Sequence, residues 1–147
     1  MATIITDDAL ALQRLYHWER TAPERVALTQ PLGGGAVRDY TWREVLDQSR
    51  RMTAHLQGLG LQPGDRIAIL AKNTAHWLLS DFAIWLAGCV SVPLFPTLAP
   101  GTIRQILEHS EAKLLFVGKL DGWDGMKAGV PKGLPCVTHP LAQANAV

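Results

Sequence analysis

The chain has 147 residues, long enough for one domain with a sizeable core. Hydrophobic residues make up 48% of it, which excludes a disordered chain, and a formal charge of +1 with scattered basic residues gives no footprint for nucleic acid. Two cysteines, Cys89 and Cys136, are too few and too far apart for a disulfide framework or a zinc site, so both read as reduced thiols of a cytoplasmic protein. Met1 to Asp8 has neither the basic start nor the apolar run of a secretion signal.

Asp7 or Asp8 starts a predicted helix that carries Ala9, Leu12, Leu15, Tyr16 and Trp18 at helical spacing and ends before Pro23. Val26 to Gln30 and Ala36 to Tyr40 read as two strands of a hairpin, joined by Pro31-Leu32-Gly33-Gly34-Gly35. A phosphate loop would follow a strand, open a helix and carry Lys-Ser or Lys-Thr. None of that holds here, so the three glycines read as a hairpin tip. Thr41-Trp42-Arg43-Glu44 is a capping box. The helix it opens sets Trp42, Val45, Leu46, Ser49, Met52, Thr53 and Leu56 on one face and Arg43, Asp47, Arg50 and Arg51 on the other, and Gly58 and Gly60 stop it.

Pro63 to Thr97 reads as strand, helix, strand. Arg66 to Ala71 is a short β-branched and aliphatic run after a Gly64-Asp65 turn. Thr74 caps a helix, Ala75 to Ala87, in which only His76, Ser80 and Asp81 are polar, and Gly88 ends it. Cys89 to Phe95 is extended, which makes the stretch a right-handed, parallel βαβ unit. A helix apolar on nearly every side needs cover beyond one sheet face. The run is too short for a membrane span and Asp81 interrupts it, so it reads as a helix buried inside a larger protein.

Pro93, Pro96 and Pro100 break regular pairing. Thr102-Ile103-Arg104-Gln105 reads as a second capping box, opening a helix with Ile103, Ile106 and Leu107 inward, and Leu114 to Val117 closes a second βαβ unit. The rest is loop-rich in Gly and Pro, with one last strand at Pro135 to Thr138. The predicted fold is therefore α/β: a layered, mostly parallel sheet of βαβ units with flanking helices and an N-terminal β-hairpin. It divides into an N-terminal helix over 1–24, a hairpin and βαβ core over 25–117 and a loop-rich tail over 118–147.

No catalytic constellation is visible. The chain lacks Cys-x-x-Cys, His-Glu-x-x-His, Gly-x-Ser-x-Gly and Walker sequences, and no Gly-x-Gly-x-x-Gly joins the Arg66 strand to its helix. His17, His55, His76, His109 and His139 are widely spread, and capping or one buried hydrogen bond accounts for each of Asp65 and Asp81. No catalytic, cofactor-binding or metal residue is assigned from the sequence.

The ordered series DYTWREV, LGLQPGDRIAILAKN, HWLLSDFAIWLAGCVSVPLFPTLAP and IRQILEHSEAKLLFVG resembles the start of an adenylate-forming, AMP-binding enzyme from Leu10 to Pro140. VPLFPT followed by ILEHSEAKLLFVGKLDGW is most similar to the long-chain fatty acid–CoA ligases. The resemblance implies ATP, Mg²⁺ and coenzyme A as the reactants of a parent enzyme, and the N-terminal, incomplete part of its acyl-CoA synthetase fold for this chain. The family's Ser/Thr-Gly-rich phosphate loop is absent; Val130-Pro131-Lys132-Gly133 mimics only its tail, with no Thr-Ser-Gly-Thr-Thr-Gly before it. The adenine-binding, ribose-binding and C-terminal lysine segments of the family are missing as well, so no family residue carries over to a position here.

The resemblance thus implies an inactive N-terminal scaffold piece of a fatty acyl–CoA ligase. Its partners would be the rest of that enzyme and, in the parent, a fatty acid. Exposed apolar surface would drive self-association, and the parent would be cytoplasmic or peripheral to a membrane's inner face. A short-chain or aromatic acid–CoA ligase, an adenylation module and a stand-alone α/β interaction module are the alternatives.

Overall fold

The computed structural model describes residues 6–142. A 3-10 turn at Asp7–Ala9 leads to helix α1 (Ala11–Thr21). There follow strands β1 (Val26–Gly33) and β2 (Ala36–Thr41), helix α2 (Trp42–Gly58), strand β3 (Arg66–Leu70), helix α3 (Ala75–Leu86) and strand β4 (Val90–Leu94). Helix α4 (Pro100–His109), strand β5 (Leu114–Val117), the short helix α5 (Trp123–Met126) and strand β6 (Cys136–Thr138) complete the order.

β1 and β2 form an antiparallel hairpin, and Gly33, Gly34 and Gly35 at its tip all take positive φ, a conformation that side chains with a Cβ resist. The other four strands make one parallel sheet in the order β4-β3-β5-β6. Because β5 pairs with β3 and not with β4, the connection through α4 crosses back over β3. The chain therefore turns from one side of β3 to the other, which is the reversal of a doubly wound α/β sheet.

β3 and β5 are apolar at almost every position because both faces are covered. Ile67, Ile69, Leu114 and Phe116 face Leu56, Ala83 and Ile84 of α2 and α3. Ala68, Leu70, Leu115 and Val117 face Ile103 and Leu107 of α4 together with Leu120, Trp123 and Met126. The period-two alternation of two short strands thus fills two cores at once. A third cluster joins the hairpin to the helices through Leu15, Tyr40, Val45, Leu46, Ala75 and Leu79.

The capping box at Thr41 is present: its hydroxyl accepts from the Glu44 amide, and the Glu44 carboxylate accepts from the Thr41 amide at 2.8 Å. Thr74 caps α3 by accepting from the Trp77 amide. The expected box at Thr102 is not a cap. α4 starts three residues earlier, behind Ala99, with Pro100 in its first turn and no side-chain cap. Proline's fixed φ and missing N–H suit the first helical position, so Thr102 lies inside the first turn. The N-terminal helix likewise starts later than the aspartates suggest, since Asp7 and Asp8 sit in the 3-10 turn.

The all-round apolar helix α3 finds most of its cover within the chain. It packs on the sheet through Ala83 and Ile84, while Leu79 and Ala75 meet the hairpin side. α2 also closes over it: the Ser49 hydroxyl donates to the Leu79 carbonyl and the Thr53 hydroxyl to the Ala83 carbonyl. No residue of α3 is fully exposed. Trp77, Leu78, Phe82, Trp85 and Leu86 of this helix stay half-buried, and beside it Phe95 is 77% exposed. The tail after Val117 is also less loose than its composition suggests, because Leu120, Trp123 and Met126 are buried and β6 joins the sheet. Residues 143–147 of that tail, and 1–5 of the expected N-terminal segment, lie outside the described residues.

Candidate functional site

In doubly wound sheets ligands bind outside the carboxyl ends of the strands, at the point where strand order reverses. Here that point lies between β3 and β5. It is closed by the chain itself. The Lys72 amide donates to the Lys119 carbonyl at 3.0 Å, and the Lys72 ammonium pairs with Asp121. The His139 imidazole, directly after β6, packs over the gap. A Cβ on Gly118 would press into Ala71 and stand 2.7 Å from His139 Nδ1, so the strand ends and the ring are in tight contact only because residue 118 is glycine.

His139 is the centre of the most polar buried cluster. Its Nε2 shares a 2.9 Å hydrogen bond with Ser80 Oγ on α3, 59 positions away in the chain. His76 lies one turn before Ser80 on the same helix face, and its ring centroid is 6.1 Å from that of His139. Tyr40 meets His76 edge-on, and Phe116 lies against His139. Beside the two rings is a cavity of about 180 Å³, walled by Gln48, Met52, Leu79, Val137 and Pro140.

Burial first, and the neighbouring His76 second, push the His139 pKa down to about 4. Burial lowers that of His76 as well. Both rings are therefore neutral at pH 7, and the Nδ1 of each has no hydrogen-bond partner among the described residues. A serine next to a histidine invites comparison with a catalytic dyad. A general base works best with a pKa near the operating pH and with a third group orienting its other nitrogen. His139 has neither among the described residues, and the pair ties β6 to α3.

Burial shifts the remaining ionisable candidates toward their uncharged forms. Burial pushes the Asp81 carboxyl up, partly offset by the Ser91 hydroxyl. Burial also raises both thiols, and Asp65 adds to the rise at Cys89, so neither cysteine is a ready thiolate. Among the described residues, no three His, Cys, Asp or Glu gather as a metal site. Val130-Pro131-Lys132-Gly133 forms a turn between the Lys127–Gly129 3-10 turn and β6, with Lys132 exposed and no helix after it. It sits at the amino end of β6, away from the strand ends where a phosphate would be held.

The sequence reading named His76, Ser80 and His139 without joining them. Proximity across 59 residues has no local signature, although a histidine directly after a parallel strand is a signal for the carboxyl edge of a sheet. A second depression, of about 250 Å³, lies at the carboxyl ends of β3 and β4 between Asn73, Trp77 and the Pro93–Pro96 exit.

With this geometry in view, three comparisons bear on the chain. The protein is 33% identical over 132 residues to the long-chain-fatty-acid–CoA ligase FadD15 of Mycobacterium bovis, a match that covers 90% of this chain and 22% of that one. It is 37% identical over 78 residues to a peroxisomal trans-cinnamate:CoA ligase of Petunia hybrida, covering 53% of this chain and 14% of the other. Among solved structures, a Brucella canis acyl-CoA synthetase superposes with a TM-score of 0.69 at 25% identity, over 82% of this chain and 22% of that one. The chain thus spans about a fifth of the length of the first of these relatives. The model of the AMP-binding enzyme family matches residues 15–145, and the chain belongs to that family.

Proposed function

We propose that these residues form a scaffold layer of an acid–CoA ligase that acts on long-chain fatty acids. The observation that carries this reading is the 33% identity to FadD15 across nine-tenths of the chain. In the proposed reaction a carboxylate oxygen attacks the α-phosphorus of ATP, releasing pyrophosphate and leaving an acyl-adenylate. The thiol sulfur of coenzyme A then attacks the acyl carbon, forming the thioester and releasing AMP. Mg²⁺ would accompany ATP. The described residues do not fit either group, since they offer neither a carboxylate cluster for the ion nor a glycine-rich loop opening a helix for the phosphates.

The role of this layer is accordingly structural. The three buried clusters and the His139–Ser80 tie fix the carboxyl edge of the sheet, against which the nucleotide-binding parts of the enzyme would pack. By itself the chain is inactive, and its exposed apolar surface favours self-association. The parent is cytoplasmic or peripheral to a membrane, and no described helix is long and apolar enough to cross one.

An aromatic acid as substrate is the second reading, favoured by the match to the Petunia trans-cinnamate:CoA ligase. The deciding assay follows AMP and thioester formation from ATP, Mg²⁺ and coenzyme A, offering palmitate and cinnamate separately. It uses both the 147-residue chain and the product of the complete reading frame that contains it. Thioester from palmitate, made only by the complete product, is expected. Turnover by the 147-residue chain would refute the scaffold role, and thioester from cinnamate alone would establish the second reading.

A further inference from the structure

Six of the nine arginines hold a carboxylate: Arg38, Arg43, Arg50, Arg51, Arg66 and Arg104. The other three, Arg14, Arg20 and Arg25, are exposed, have no carboxylate partner among the described residues, and lie on α1 or in the turn after it. Two of these three converge. The Arg14 guanidinium lies 5.9 Å from the centroid of the Trp18 ring, and that of Arg25 lies 5.4 Å from the same ring. Local structure holds them there. Arg14 is one helical turn before Trp18, so the two share a face of α1. The Arg25 carbonyl accepts from the Trp42 amide at 3.1 Å and the Pro23 carbonyl from the Arg43 amide at 3.0 Å, which fastens the turn to the start of α2. Trp42 in turn stacks on Trp18, with centroids 6.2 Å apart and planes 13° from parallel. The carboxylates nearest in sequence, Glu19 and Glu24, are engaged by Arg50 and Arg43. Asp7 and Asp8 stand exposed in the 3-10 turn before α1 and bridge to neither arginine.

We infer that Arg14 and Arg25, seated on Trp18, form a binding site for a phosphate group, carried either by a soluble ester or by a lipid headgroup. The inference goes beyond the ligase reading and does not depend on it. Two like charges drawn to one ring repel each other, and no acidic side chain among the described residues neutralises them. A bound anion removes that repulsion. Guanidinium suits phosphate because its planar fork donates two parallel hydrogen bonds to neighbouring oxygens. Cation–π attraction to the indole holds each guanidinium in place and leaves its N–H edges free to donate. One fork satisfies a carboxylate, whereas two forks match the larger set of oxygens on a phosphate. The competing reading is a brace between α1 and α2 that takes no ligand.

Titration of the unaltered 147-residue chain with inorganic phosphate, followed by heteronuclear NMR, separates the two readings. The Nε–H signals of Arg14 and Arg25 and the indole N–H signal of Trp18 are expected to shift together and saturably. Those of the ion-paired Arg43 and Arg50 should stay still, and chloride at matched ionic strength should move none of them. Arg14→Gln and Arg25→Gln should each weaken phosphate binding about tenfold, the effect of losing one charge-assisted hydrogen bond. Arg20→Gln, on the same helix but not over the ring, should leave it unchanged. Absence of a saturable shift overturns the inference. So does an equal loss with Arg20→Gln, which would mean diffuse charge and no site. Co-sedimentation with phosphatidylglycerol vesicles then identifies the source. Retention that Arg25→Gln abolishes assigns the lipid headgroup; retention that is absent, or that survives Arg25→Gln, assigns the soluble ester.

Discussion

Acid should weaken this fold through one histidine, and the size of the effect follows from its burial. His139 is neutral in the folded chain with a pKa of about 4, against an ordinary value of 6.5. Between those limits the unfolded chain binds a proton that the folded chain does not. Stability therefore rises with pH across this window. It is complete above pH 6.5 and is lost as the pH falls through 6 and 5 to 4. At ~1.4 kcal/mol per pKa unit, the loss over the whole window is about 3 kcal/mol, a large part of the stability of a domain this size.

The measurement is urea unfolding at several pH values from 7.5 to 4.5, followed by tryptophan fluorescence, for the natural chain and for His139→Gln. Gln retains an amide that can reach Ser80 but does not titrate. Carboxylates also change the slope: Glu19, Glu44 and Asp124 are held low by their partners and lose stability on acidification, while Asp81, raised by burial, opposes them. Those contributions are shared by both proteins, so the difference between the two curves reports His139 together with its coupled neighbour His76, whose pKa burial also lowers. The variant should be less stable at pH 7.5 yet flatter towards acid. Parallel curves, agreeing within about 0.5 kcal/mol over the window, would refute the assignment of His139 as a buried neutral imidazole.

The cap assignment is tested by a matched pair. Thr41→Ala should cost about 1 kcal/mol in thermal unfolding, while Thr102→Ala, which caps nothing, should stay within about 0.5 kcal/mol. Gly118→Ala presses a methyl group into Ala71 and His139, with a cost of about 1–3 kcal/mol by overpacking. Gly125→Ala, with open space at its Cβ, serves as a control that should be neutral or slightly stabilising. Phe116→Ala, at a fully buried position under α3, should destabilise by about 3–5 kcal/mol, read as a lowered urea midpoint. Cys89, buried and raised in pKa, should react with a small disulfide reagent at pH 7 only as fast as the chain opens. Reaction at the rate of a free thiol would show that Cys89 is not buried.

Periodicity and turn chemistry in the sequence determined the elements. Thr41-x-x-Glu44 and Thr74 marked two helix starts because a cap is a contact between residues three apart. The glycines of the hairpin tip and Gly88 marked bends because only their own φ is at stake. Pro100 outweighed Thr102 for an equally local reason, a fixed φ at the first helical position. Family membership was also legible, since it resides in ordered blocks of sequence.

The tertiary structure alone decided what depends on distant contacts. That α2 and the hairpin cover most of α3, and that Phe95 beside it stays exposed, follows from how the third layer lies and not from the helix's own composition. The order β4-β3-β5-β6 placed the reversal between β3 and β5 and brought the end of β6 to α3. Only that arrangement sets His139 against Ser80 and His76, and the exclusion of water there, with His76 second, lowers its affinity for a proton. Burial is a property of packing, and the same histidine read along the chain is simply one of five.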